Sequence, residues 1–334
     1  QGWINTMDST SNVRGAPPFI QASVSGACNT LVTAPCCANA KIATFTGPGS
    51  FTVTAAALCA ANNIVSHLIV AGGGSGGTGC SGGGAGAGGF REVKSPITPY
   101  TASPLDGYST PANRVTVTAQ TYAIVVGGGA PGQATAPNSC NSDGTRGNNS
   151  SFGGIISTGG GAGGDGPAGP EGPGGSGGGG GHSSGTAGNG NTPPVSPAQG
   201  FNGRPSQPAT GPAPSDAGGA GGGATAAGTC GSSGHQGGAG ATTSISATPT
   251  AYAGGGGGSN RCGGTSGDVA GGAGGGGRGA SNPRPRPAFD GTGQNGTANT
   301  GGGGGAGGSL VSGGPIGGTG SGGSGIVIIR YKFQ

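Results

Sequence analysis

The sequence predicts a mostly irregular and β fold with almost no α-helix: a small β-hairpin region joined to a bundle of polyglycine-II helices with Pro/Ser/Asn-rich loops. Three observations lead there. Glycine supplies 91 of 334 residues and proline 25, against average usage of about 7% and 5%. Aromatic residues make up only 4% and charged residues 7%, too few large side chains for a Leu/Ile/Val core in a chain of this length. The glycines are gathered into tracts, whereas a flexible linker would scatter them evenly.

The β elements come first. Ile42-Ala43-Thr44-Phe45-Thr46 and Ser50-Phe51-Thr52-Val53-Thr54 flank Gly47-Pro48-Gly49, and two alternating runs about such a turn read as a hairpin. A third run, Ile64 to Val70, enters the tract Ala71-Gly72-Gly73-Gly74. The pattern returns at Val115-Thr116-Val117 and Tyr122-Ala123-Ile124-Val125-Val126, and the chain closes on Ile326-Val327-Ile328-Ile329-Arg330-Tyr331. Residues 1–41, Ser/Thr/Asn-rich, read as an N-terminal arm or attachment region, and 42–334 as the glycine-rich domain.

Between the strands lie glycine tracts at 72–89, 127–132, 159–164, 174–181, 218–223, 254–258, 271–279, 301–308 and 313–325, separated by polar inserts. Collagen register persists only over 166–175, and Gly-Ala alternation of the silk kind is absent. A polyglycine-II helix has about three residues per turn and no internal hydrogen bonds. Its N–H and C=O groups point outward, so neighbouring helices can satisfy one another. Glycine is then required wherever backbones touch, and Ala, Ser or Thr is expected at positions facing solvent or loops.

The remaining composition narrows the function classes. A net charge of +4 with no Lys/Arg run gives no nucleic-acid patch, and the Arg/Pro alternation around Arg284 and Arg286 reads as an exposed extended loop. No apolar stretch approaches the ~20 residues of a membrane span. The lysines Lys41, Lys94 and Lys332 sit in no phosphate loop, and the aspartates are scattered. No catalytic residue, metal site or cofactor is expected. Eight cysteines, Cys28, Cys36, Cys37, Cys59, Cys80, Cys140, Cys230 and Cys262, are candidate disulfide partners of an extracytoplasmic protein.

Several strings resemble one family in order along the chain: Ile42-Ala43-Thr44-Phe45-Thr46-Gly47-Pro48-Gly49-Ser50-Phe51-Thr52-Val53, His67-Leu68-Ile69-Val70-Ala71-Gly72-Gly73-Gly74, Gly88-Gly89-Phe90-Arg91, Ser151-Phe152-Gly153-Gly154-Ile155-Ile156 and Gly325-Ile326-Val327-Ile328-Ile329-Arg330-Tyr331. The stretch 40–334 looks like the glycine-rich domain of bacteriophage tail-fibre and virion structural proteins. The resemblance implies a non-enzymatic structural or host-recognition role on the virion or outside the cell. Its partners would be a bacterial surface receptor, glycan or outer-membrane protein, and other virion subunits, including copies of the chain itself. Loops on a rigid support are where recognition usually sits. Tyr100, Tyr108, Phe201, Arg284, Arg286 and Phe289, each an aromatic or Arg in a Pro-rich insert, are the receptor-contact candidates. A self-assembling extracellular filament is the alternative, through strand edges such as that of the closing run; ice binding by a flat polyglycine face is a third.

Overall fold

The computed structural model describes residues 17–35, 39–79, 81–134, 142–166, 172–182, 185–206, 217–229, 235–259, 269–280, 291–308 and 317–334. Thirteen strands occur among them: β1 (Gln21–Ser25), β2 (Thr30–Thr33), β3 (Ala40–Phe45), β4 (Gly49–Ala55), β5 (Ile64–Val70), β6 (Phe90–Val93), β7 (Val115–Thr116), β8 (Thr121–Ile124), β9 (Ser150–Phe152), β10 (Ile155–Ser157), β11 (Ala241–Thr243), β12 (Thr250–Tyr252) and β13 (Ile326–Lys332). The helices among the described residues are two short 3-10 turns, Ala60–Asn63 and Pro111–Asn113.

One antiparallel sheet runs β2-β3-β13-β5-β6, with β7 also on β5, and a second runs β1-β4-β8. The strand period of two splits β13 cleanly. Val327, Ile329 and Tyr331 face a core shared with Phe51, Val53 and Ile124 of the second sheet. Ile326 and Ile328 face the other way, into a core closed by Ile245 and Tyr252 of the β11–β12 segment. Residues 21–33 supply an outer strand to each sheet.

The 42–54 segment departs from the expected hairpin. β3 pairs with β2 and β13, while β4 pairs with β1 and β8. Gly47-Pro48-Gly49 therefore carries the chain from one sheet to the other. Phe45 and Phe51 then point into the same core from opposite layers, which burial favours over direct pairing.

Arg330 follows Ile326 and Ile328 on the second face and is fully buried. It donates from Nη1 to the Ile245 carbonyl at 3.3 Å and from Nη2 to that of Pro99 at 2.9 Å. Its guanidinium also lies 5.2 Å from the centre of the Tyr100 ring. A buried charge is costly unless its donors are met, and backbone carbonyls meet those of both terminal nitrogens, Nη1 and Nη2.

β5 does not stop at Val70 but continues as an extended tract, and the bonding pattern changes. Gly72, Ser75 and Thr78 donate to the carbonyls of Asn148, Thr145 and Ser142; Gly73 and Gly76 donate to Gly323 and Gly320; Gly74 and Gly77 donate to Gly86 and Gly83. The partner repeats every third residue and comes from three different neighbours. That is the signature of a threefold helix in a lateral array, as the composition predicts.

The array is hexagonal. Tract 82–89 lies at its centre, donating from Gly83, Gly84 and Ala85 to Gly164, Gly219 and Gly304, and accepting from Gly77, Gly179 and Gly256 at Gly83, Gly84 and Ala85. These six neighbours also bond to one another in a closed ring: Gly160 to Gly72, Gly161 to Ser176, Gly219 to Gly180, Gly221 to Gly256, Gly303 to Gly254 and Gly304 to Gly74. Further tracts form an outer layer. Ala85 and Ala87, expected on the outside, are instead fully buried in the central tract. Ala87 sits at its foot against the second hydrophobic core, and Ala85 keeps both of its backbone bonds.

The spacing leaves no room for a Cβ at most other tract positions. A methyl at Gly84 would press on the Gly256 carbonyl oxygen, whereas one at Gly47 would lie 3.8 Å from its nearest neighbour, the Ala27 carbonyl oxygen. Gly84→Ala is therefore expected to destabilise by about 1–3 kcal/mol, and Gly47→Ala by less than about 0.5 kcal/mol, in chemical denaturation. Arg330→Leu leaves the carbonyls of Pro99 and Ile245 without their donor and should cost about 2–4 kcal/mol in the same assay.

Candidate functional site

The bundle has two unlike ends, and hydrogen bonds between residues at the same height identify them. At the sheet end, Ala71 donates to Gly89, Gly88 to Gly301, Gly325 to Gly127, and Ala224 to Ala253. At the far end, Thr78 donates to Ser142, Gly307 to Gly77, Gly308 to Gly291, Gly317 to Gly308, Ala280 to Ala306, Gly218 to Ser259, Ser259 to Gly82, and Gly258 to His235. The segments 135–141, 207–216, 230–234, 260–268, 281–290 and 309–316 each join two tracts that have turned toward this far end. The sequence alone gives insert lengths; the common end follows only once the direction of each tract is known.

The described residues of the far end form a backbone scaffold. Backbone bonds of 2.7–3.1 Å hold Gly218, Gly219, Gly258 and Ser259 in place, and the side chains nearby are small or polar. His235 is buried there, with burial and the Arg204 charge holding its pKa below the ordinary value.

The contact candidates fall in separate surroundings. Tyr100 is half-buried at the sheet end, covered by Lys94 at 5.8 Å and Arg330 at 5.2 Å. Burial, with the Glu92 carboxylate beside it, pushes its phenol far above the usual range. Tyr108 lies under the Arg114 guanidinium at 4.3 Å, whose Nε donates to the Tyr108 carbonyl at 2.7 Å. Both tyrosines thus pack the loop that covers the larger sheet. Phe201 is 42% exposed. Its N–H donates to Gly223 and its carbonyl accepts from Gly177, so a rigid outer tract presents the ring. Arg284, Arg286 and Phe289 lie outside the described residues.

Cys28 and Cys59 are exposed free thiols, so the disulfide expectation does not hold for these two. Cys28 occupies the turn from β1 to β2 and Cys59 the approach to the first 3-10 turn, separate strand ends with no cysteine partner at either. Cys36, Cys37, Cys80, Cys140, Cys230 and Cys262 lie outside the described residues.

A buried polar group at the foot of the bundle escaped the sequence reading, because single polar residues in a strand give no periodic signal. Glu92 on β6 accepts from the Thr243 hydroxyl at 2.5 Å and the Ser103 N–H at 2.8 Å, tying the β11–β12 segment to the sheet. Burial raises its pKa against the pull of those bonds. His67, on β5, stacks edge-on to Phe152 at 6.0 Å. Burial first, and then the Arg91 charge, bring its pKa down to about 3. The cavity that His67, Arg91 and Asn113 line holds ≈ 10 Å³, about one water, so this imidazole has no room for a substrate.

The architecture defines a class: a protein with hydrophobic cores at its β end and packed backbone, in place of packed side chains, through its tract bundle. A family profile described as the glycine-rich domain matches residues 45–332, and the chain belongs to that family. No curated protein matches the sequence.

The buried ionisable groups fix a pH response. Unfolded His67 takes a proton below its ordinary 6.5, while the folded imidazole resists until about 3, so stability falls as pH drops through that interval. Glu92 acts oppositely: its contribution is present below the ordinary 4.5 and is lost as pH rises. Melting temperature against pH should fall from pH 6.5 toward 4, and His67→Leu should flatten that slope. An unchanged slope would remove His67 as its source.

Proposed function

We propose that this chain is a non-enzymatic structural and recognition module of a phage virion, at a tail fibre or tail tip, acting outside the cell against a bacterial surface receptor. The observation that carries the reading is the shared far end. Tract after tract ends there, so the described residues that flank the polar inserts gather at one end of the bundle while the sheets hold the other. The described interior of the bundle is filled by tract backbone, so sequence change in the inserts is expected to leave the scaffold intact. The ordered motifs that resemble phage glycine-rich domains support the virion assignment. The exposed Phe201 ring, with Arg204 one turn along the same outer tract, is of the residue types that dominate recognition surfaces.

Binding of the chain to whole cells of co-occurring bacteria, with the inserts exchanged one at a time, tests the reading. Exchange of at least one far-end insert should abolish or redirect binding while the melting temperature stays within about 2 °C. Binding that survives every exchange would show that recognition does not use the inserts.

A further inference from the structure

The larger sheet ends on β2, and no strand among the described residues lies on the side of β2 turned away from β3. The closing strand β13, by contrast, has β3 on one side and β5 on the other, so it offers no edge. The direction of each backbone group on β2 follows from the ladder. Ala34 donates to the Ala40 carbonyl at 2.8 Å, in the register that pairs Thr30 with Thr44. Bonded and non-bonded pairs alternate along an antiparallel ladder. Thr30 and Val32 therefore bond to β3, while the N–H and C=O groups of Leu31 and Thr33 point outward. Their opposites on β3, Ala43 and Lys41, bond to β13 instead, in step with Phe333 donating to Asn39 at 3.0 Å. Natural edges are blunted by charge, proline or a bulge. β1, the outer strand of the second sheet, has a bulge at Gln21/Ala22, but β2 keeps a regular register and carries no charge or proline. Its Val32 is 50% exposed, and the neighbouring cation, Lys41, is drawn over the Phe333 ring at 4.8 Å.

We propose that this edge pairs antiparallel with the same edge of a second copy of the chain, so that the two larger sheets join into one. The edge is self-complementary. A two-fold axis through Val32 sets Leu31 of each copy opposite Thr33 of the other, and those are the residues whose groups point outward. Each such pair exchanges both of its N–H···O bonds, which meets every outward group of the two strands. Val32 then faces Val32 of the second copy in the non-bonded pair, with Cα atoms about 4.5 Å apart, and the two β-branched side chains cover one another. Pro35, the next outward position after Thr33, has no N–H to leave unmet, so the pairing ends cleanly there.

Strand directions give the shape of the pair. β5 runs toward the bundle, β13 away from it, β3 toward it and β2 away. Joining β2 antiparallel to its copy therefore points the two bundles in opposite directions and leaves both far ends free. The pairing does not depend on recognition at those ends and does not obstruct it. So short a junction lies at the small end of specific interfaces, and the dimer is expected to be reversible, forming as concentration rises.

Sedimentation of the full chain at rising concentration, under reductant so that the exposed Cys28 and Cys59 form no disulfide, tests this. The wild type should pass from monomer to dimer. Val32→Lys alone and Val32→Asp alone each set like charges face to face across the axis and should associate at least about tenfold more weakly. An equimolar mixture of the two should recover association, because the lysine of one copy meets the aspartate of the other. Near-UV circular dichroism establishes that both variants are folded. Without reductant, Val32→Cys should yield a disulfide-linked dimer, since the paired Cα atoms lie within disulfide reach, and should do so faster than Leu58→Cys, which is 76% exposed but off the strand. A wild type that stays monomeric, charged variants that associate as the wild type does, folded variants that fail to complement each other, or equal cross-linking at the two positions would each overturn the proposal.

Discussion

Backbone-to-backbone contact without an intervening Cβ is the constraint from which the rest of this structure follows. Each tract residue bonds sideways to another tract, and successive residues turn to different neighbours, so no tract is stable alone. A single amide bond contributes only about 1 kcal/mol net. Glycine also surrenders more chain entropy than any other residue on ordering. Order therefore depends on many such bonds being formed together. The central tract shows the logic in concentrated form, because every donor and acceptor from Gly83 to Ala87 is met by six surrounding tracts.

The two sheets solve a different problem at the foot of the bundle. A lattice of identical contacts does not specify its own register, since a tract sliding by one turn makes the same kind of bond. Side chains do specify it. Val70 pairs with Ile326 and Phe90, and the tracts beginning or ending at those residues inherit that alignment. The Ser150 hydroxyl, donating to the Val70 carbonyl at 2.8 Å and accepting from the Gly127 N–H at 2.8 Å, fixes a further tract at the same level. Glu92 and Arg330 bind the β11–β12 segment and the 95–105 loop over the remaining face.

Much of this was legible in the sequence, and the limits have physical causes. Tracts and strands announce themselves because glycine clusters and β-branched alternation are local signals. The partner of each strand is not local, so 42–54 reads as a hairpin although its halves enter different sheets. The hexagonal order of the tracts is likewise invisible, since Gly84 bonded to Gly219 looks no different in sequence from Gly84 bonded to any other glycine. Ala85 misleads for the same reason: a methyl reads as outward-facing, and only the lattice reveals that the position is central. The recognition candidates were chosen by residue type. That rule finds the displayed ring of Phe201, but it also selects Tyr100 and Tyr108, whose rings are covered by cations of the same fold.

The position of β13 has a consequence for biosynthesis. This strand, the last among the described residues, sits between β3 and β5 in the middle of the larger sheet, and the tract before it bonds to 72–78. The inner ring cannot close until residues 301–308 have left the ribosome, nor the sheet until residues 326–332 have. The nascent chain must stay soluble without its core. A glycine-rich polymer, poor in apolar side chains, is well suited to that wait, so the composition that defines the folded lattice also protects the chain before the lattice exists.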